Sequence, residues 1–209
     1  CAATANVKTC LGDNLTGAQT LSTAVAVPAN ITFHFCGQSI SQTAAVTLPN
    51  ANGAIVGCSS AATTFTKAAS LDQFNLSGVN TYLGFLTLVG VGGSFTGQGI
   101  VNAVSSGTVE HNIISGEAGT GINDSSGGKV QFNVATSSSA GNPITSGNSG
   151  FVFGNTLTCT LSDCFKVSGG NNIVFSHNTI SLNPNASTSG LCGENFSGDQ
   201  IGNSSLFNQ

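Results

Sequence analysis

Hydrophobic and polar residues alternate along this chain in short bursts and never at a helical period. Ile31-Thr-Phe33-His-Phe35, Ala54-Ile55-Val56, Phe74-Asn-Leu76 and Phe85-Leu-Thr-Leu88-Val89 are runs of strand length. Alternation with period two places one set of side chains on each face of a strand. Turns rich in Gly or Ser separate the runs, as at Val91-Gly-Gly-Ser94, Ser125-Ser-Gly-Gly128 and Ser168-Gly-Gly170. No stretch of a dozen residues carries a helix period, so the pattern predicts an all-β protein.

The second half adds a repeat. Val109-Glu-His-Asn-Ile-Ile-Ser115, Val130-Gln-Phe-Asn-Val-Ala-Thr136, Val152-Phe-Gly-Asn-Thr-Leu-Thr158 and Phe175-Ser-His-Asn-Thr-Ile-Ser181 align without gaps. Their shared asparagines, Asn112, Asn133, Asn155 and Asn178, are spaced by 21, 22 and 23 residues. A fixed period of this size is the signature of a solenoid. One repeat per coil would stack the asparagines about 4.8 Å apart, close enough for their amides to form an internal ladder. Asn also tolerates the left-handed backbone region, so it is expected to make the sharp turn between two strands itself. In the first half, Gln38-Ser-Ile40-Ser41 matches the unit with Gln in place of Asn. A β-sandwich also uses short strands and frequent turns, but the near-constant period favours a parallel β-helix of about 22 residues per coil. The expected layout is an N-terminal segment over 1–20, the β-helix over 21–182 and a C-terminal segment over 183–209. Either tail is expected to cap the solenoid or to contact a neighbouring subunit.

These residues resemble the right-handed parallel β-helix superfamily typified by pectate lyases. The resemblance covers about residues 20 to 182 and rests on Val27-Pro-Ala-Asn-Ile-Thr-Phe33, which looks like an early coil, and on the Asn-x-Ile-Ser/Thr units. It implies a fold that hosts lyases, hydrolases, adhesins and spike proteins alike. Lyases of this superfamily need clustered acids for calcium and a basic residue to abstract a proton. Arginine is absent from this chain, and its four lysines are Lys8, Lys67, Lys129 and Lys166. A lysine base is conceivable at Lys129 or Lys166, whose nearest carboxylates in sequence are Asp124 and Asp163. No Asp-x-Asp or Asp-Asp pair is present, and the Gly-His-Gly and Arg-x-Lys motifs of the related hydrolases are missing. The acids are expected at solvated turns and the chain is expected to be no enzyme. His111 and His177 share the register just before a ladder Asn, and packing at the turn is their expected role; with His34 they make no metal-ligand spacing. No cofactor or metal site is expected.

Composition narrows the partners. Only 6% of residues are charged, the net charge is -4 and 39% are hydrophobic, so the chain has no basic patch for nucleic acid. It has no apolar run long enough for a membrane helix. Seven cysteines suit an oxidising compartment, and a start at Cys1 without any Met is read as a processed, secreted or cell-surface chain. Cys36 and Cys58 are one coil apart and are expected to bridge; Cys159 with Cys164, and Cys1 with Cys10, are further pairs. Cys192 is then left free or intersubunit, and a lipid anchor at Cys1 is a second role open to that residue. Asn-x-Ser/Thr sequons occur at Asn14, Asn30, Asn75, Asn123, Asn185, Asn195 and Asn203.

The residues flanking the Asn turn predict an outer face of small hydroxyls: Ser39, Ser41, Thr87, Ser115, Thr136, Thr156, Thr158, Thr179 and Ser181, interrupted by Val89, Ile113 and Val134. β-Propensity alone accounts for such residues, and a face for ice or glycan is the functional reading. Sparse charge, missing catalytic motifs and open strand edges point to an extracellular structural protein that assembles with copies of itself into a fibre, sheath or surface layer. A surface-binding module, an adhesin or a glycan- or ice-binding solenoid, is the alternative, with a polysaccharide lyase behind both.

Overall fold

A computed structural model describes residues 18–60, 63–91, 94–137, 141–159, 163–168 and 172–182. It also describes the backbone strands Ala3–Thr4, Val7–Lys8, Glu194–Ser197 and Ser204–Leu206. The chain is a parallel β-solenoid. Each coil visits three sheets in turn, and each sheet has eight strands. The first sheet runs from Ala18–Leu21 to Thr179–Leu182, the second from Val25–Ala26 to Glu194–Ser197, and the third from Thr32–Phe35 to Ser204–Leu206. The described residues contain no helix. Solenoid strands thus begin at Ala18, just ahead of residue 21, and two of them lie beyond residue 182. The antiparallel pair Ala3–Thr4 and Val7–Lys8 lies beside Thr32–Phe35.

Alternation explains the strands. In the first sheet, Ile40, Phe65, Leu88, Ile114, Ala135 and Leu157 stack inward in one register column, all buried. Ile55, Leu83, Val109, Val130, Val152 and Phe175 do the same in the third sheet. The coil interior is therefore largely apolar, and each fully buried Val, Leu, Ile or Phe side chain contributes roughly 1.5–3 kcal/mol. Phe165 stacks on Phe175 at 4.1 Å, and Phe35, Phe65 and Phe74 meet edge to face at 5.3 and 5.0 Å.

The coils vary in length. Register pairs Val134 with Ile113, and Ile113 with Thr87. The residues just before these three, Asn133, Asn112 and Leu86, therefore occupy equivalent positions. Asn133 follows Asn112 by 21 residues, whereas Asn112 follows Leu86 by 26 residues. Most of the extra residues lie between the first and second sheets: Thr87 and Ile100 are 13 residues apart, whereas their register partners Ile113 and Ile122 are 9 apart.

The asparagines occupy the corner between the third and first sheets, and their amides form the ladder. Nδ2 of Asn112 donates to Oδ1 of Asn133 at 3.1 Å, Asn133 to Asn155 at 3.0 Å, and Asn155 to Asn178 at 2.9 Å. Each Oδ1 also accepts the backbone N–H of the preceding rung, at 3.0, 2.9 and 2.8 Å. The turn itself corrects the sequence reading. The left-handed residue is the one before the Asn: His111, Phe132 and His177 have φ of 55°, 55° and 56°, and Gly154 has 65°. The Asn points inward and satisfies the corner's backbone, so it cannot also supply the bend; its neighbour takes the strained conformation and points outward.

Two disulfides occur among the described residues. Cys36–Cys58 joins adjacent coils with Cα atoms 4.9 Å apart, and Cys159–Cys164 closes a short loop at 5.3 Å. Cys1, Cys10 and Cys192 lie outside the described residues. No helix among the described residues is long and apolar enough to cross a membrane.

Candidate binding faces

The first sheet is the most regular outer surface. Strand register places Ala18, Ser39, Thr64, Thr87, Ile113, Val134, Thr156 and Thr179 in one outward column. Thr20, Ser41, Thr66, Val89, Ser115, Thr136, Thr158 and Ser181 form the second. Every member is exposed or half-buried, and none is charged. All nine hydroxyl residues expected on this face are in it. Thr20, Thr64 and Thr66 also belong to it and were not foreseen. Thr64-Phe-Thr66 alternates like the other strands, but the coil that leads to it is longer than the coil on either side, which hides its register. Neighbouring hydroxyls stand about 4.8 Å apart along the stack and about 6.6 Å apart along a strand, set by backbone geometry.

The histidines lie in a ring column beside the Asn corner. His111 stacks between Phe85 at 4.8 Å and Phe132 at 5.3 Å, and His177 tilts against Phe153 at 5.0 Å. Phe85, His111 and Phe132 stack because each is the left-handed residue of its coil at the same register; Gly154 holds that position in the next coil, and His177 meets the neighbouring Phe153. His177 Nδ1 also lies 2.6 Å from Ser176 Oγ. No cluster of His, Cys, Asp and Glu suited to a metal ion occurs among the described residues.

The acids depart from expectation. Glu117 and Asp124 are not at solvated turns but are 1% and 0% exposed. The buried lysine is Lys67, whereas Lys129 is exposed and Lys166 half-buried. Lys67 Nζ donates to Glu117 and to the carbonyls of Gly97 and Gln98 at 3.1 and 3.3 Å. Burial pushes the Glu117 carboxyl up, and the Lys67 hydrogen bond and charge draw it part of the way back. Asp124 sits in a second polar pocket. Its carboxylate accepts from Asn102 Nδ2 at 2.9 Å, the Gly128 N–H at 2.8 Å and Ser146 Oγ at 3.2 Å. Burial raises its pKa against those hydrogen bonds. A Cβ on Gly128 would collide with Asn102 Nδ2, so this pocket requires glycine there. Both acid sites are enclosed in the coil and closed to a polymer substrate. Their pattern was invisible in the sequence because partners such as Lys67 and Glu117 are 50 residues apart.

An apolar pocket lies at the N-terminal end of the described solenoid. Phe33, Phe35, Ile40, Val46 and Phe65 line an apolar cavity of about 250 Å³ beneath the first strands.

Comparison with family models found no match, and searches of curated proteins and of solved structures found no similar protein.

Proposed function

We propose that this protein is an extracellular binding module that engages a flat, periodic, uncharged surface, ice above all, through the outer face of its first sheet. The two columns of that face carry the reading. Eight parallel strands hold hydroxyl and methyl groups at backbone-fixed intervals, with no charge to hold a mobile hydration shell. Threonine is stiff at χ1, so its hydroxyl and methyl keep fixed positions and can order water without losing much side-chain entropy. The two disulfides fit an oxidising, extracellular compartment. The test is thermal hysteresis and inhibition of ice recrystallisation. Activity in the native protein, largely lost in Thr136→Tyr, is the expected result; Thr136 has hydroxyl residues on both sides in its column, where a large ring breaks the plane. A native protein with neither activity sinks the reading.

The apolar pocket at the first coils favours a second reading. The strand edge of a solenoid's end coil, beside an apolar interior, is a surface that another chain can pair with. Copies stacked end to end would then form an extracellular fibre, sheath or surface layer. Light scattering on protein prepared without reductant tests it: growth in particle mass with concentration supports stacking, and a strict monomer over a wide range rejects it.

A further inference from the structure

The outer face of the third sheet carries chemistry that the first sheet lacks. Tyr82 lies along the sheet across Gly84: a Cβ on Gly84 would come within 2.5 Å of Tyr82 Oη, so the ring can lie down only because that residue is glycine. In this position Tyr82 Oη donates to Glu110 Oε1 at 2.8 Å. One coil further, Gln131 Nε2 donates to the other oxygen of the same carboxylate. On the coil after that, Phe153 stacks on Phe151 with centroids 5.7 Å apart, and it meets Phe132 edge to face at 5.5 Å. Phe132 and Phe151 are 42% and 37% exposed. A lone exposed Phe needs no explanation. Exposed rings in mutual contact, continuing a carboxylate and carboxamide pair along the same strands, mark an interaction surface.

The composition of the strip defines what it takes. Its full charges, Glu110 and Lys129, are of opposite sign, so it selects neither a polyanion nor a polycation. Aromatic rings offer apolar faces and edges to C–H groups. The carboxylate and carboxamide retain lone pairs and an N–H for paired hydroxyls. The surface is a sheet and not a cleft, so each contact is weak and affinity must come from repetition along a polymer. Coils recur about every 4.8 Å, close to the length of one sugar residue. We infer that the strip running from Tyr82 through Glu110 and Gln131 to Phe153, Phe151 and Phe132 binds a neutral polysaccharide laid along the solenoid axis. This site is independent of the first-sheet face.

Affinity electrophoresis tests the inference, with gels containing a soluble neutral xylan or β-glucan and polygalacturonate as the acidic control. Retardation by a neutral polysaccharide is expected, with Phe151→Ala and Glu110→Gln each weakening apparent affinity about tenfold. Thr136→Tyr, on the first sheet, should leave it unchanged. Thermal melts establish that each variant is folded, and Phe132→Ala replaces Phe151→Ala if the latter melts early. No retardation in either neutral gel overturns the inference. So does retardation that the ring and carboxylate variants leave intact, or equal retardation by polygalacturonate.

Discussion

The corner between the third and first sheets is built in two ways along the same column. From Asn112 to Asn178, every rung is an asparagine, and each amide bonds the next. In the earlier coils, the same position is Gln38, Thr63 and Leu86, all buried. Thr63 Oγ1 donates to Phe35 O at 2.7 Å, and Gln38 Nε2 donates to Cys36 O at 2.5 Å. Leu86 offers no side-chain bond, and its N–H is taken by Asn112 Oδ1 at 3.1 Å. The early coils gain instead a covalent link, Cys36–Cys58, close to the same corner. The difference shows that the corner does not need one residue type. It needs its buried backbone groups satisfied and neighbouring coils fastened. A ladder of identical amides does both at once, but only where every rung keeps the register.

The ladder should therefore be the costlier half to break. Asn133→Leu removes the acceptor for the Asn112 N–H and Nδ2, and the donor to Val109 O and Gln131 O, each at 3.0–3.1 Å. The expected loss is about 4–5 kcal/mol, because several buried groups are left unpaired together. The reciprocal change, Leu86→Asn, meets a rung that already has an acceptor above it and is expected to cost less than half as much. Chemical denaturation of both variants decides the matter; equal losses would show that the ladder is not the stronger fastening.

The buried ion pair, which joins an early coil at Lys67 to the first ladder coil at Glu117, gives the next effect. Lys67→Met leaves Glu117 enclosed without its cation, at about 3–4 kcal/mol. Adding Glu117→Gln should restore most of the loss. If the double variant is as unstable as the single one, the packing of the lysine stem matters more than its charge.

The smallest effect is in the later coils. The folded-state pKa of Asp124 is raised by burial, so the folded protein holds that proton more tightly than the unfolded chain. Its stabilising contribution is complete below the unfolded value of about 3.9 and is lost as pH rises through the folded value. Asp124→Asn removes this loss, so its Tm relative to the native protein should climb as pH rises from about pH 3 toward neutrality. Glu117 has the same sign and leaves a residual slope. A Tm difference that does not change with pH would show that Asp124 titrates normally.

Much of this architecture could be read from the chain before any coordinates. Apolar alternation determined the strands, and the near-constant spacing of four asparagines determined the coil and the ladder. The 22-residue spacing of Cys36 and Cys58 anticipated their bridge, and most of the hydroxyl face followed from the same register. These features repeat once per coil, so local pattern carries them. Tertiary structure decided the rest. It moved the left-handed bend from the asparagines to the residues before them, because an inward amide cannot also make the turn. It brought Thr64 and Thr66 onto the hydroxyl face and Lys67 against Glu117, since coils of unequal length erase fixed spacing. It also laid Tyr82 over Gly84 toward Glu110, a contact created by stacking residues 28 apart in sequence. Which residues meet across coils depends on the summed length of every turn between them, and no single stretch of sequence contains that sum.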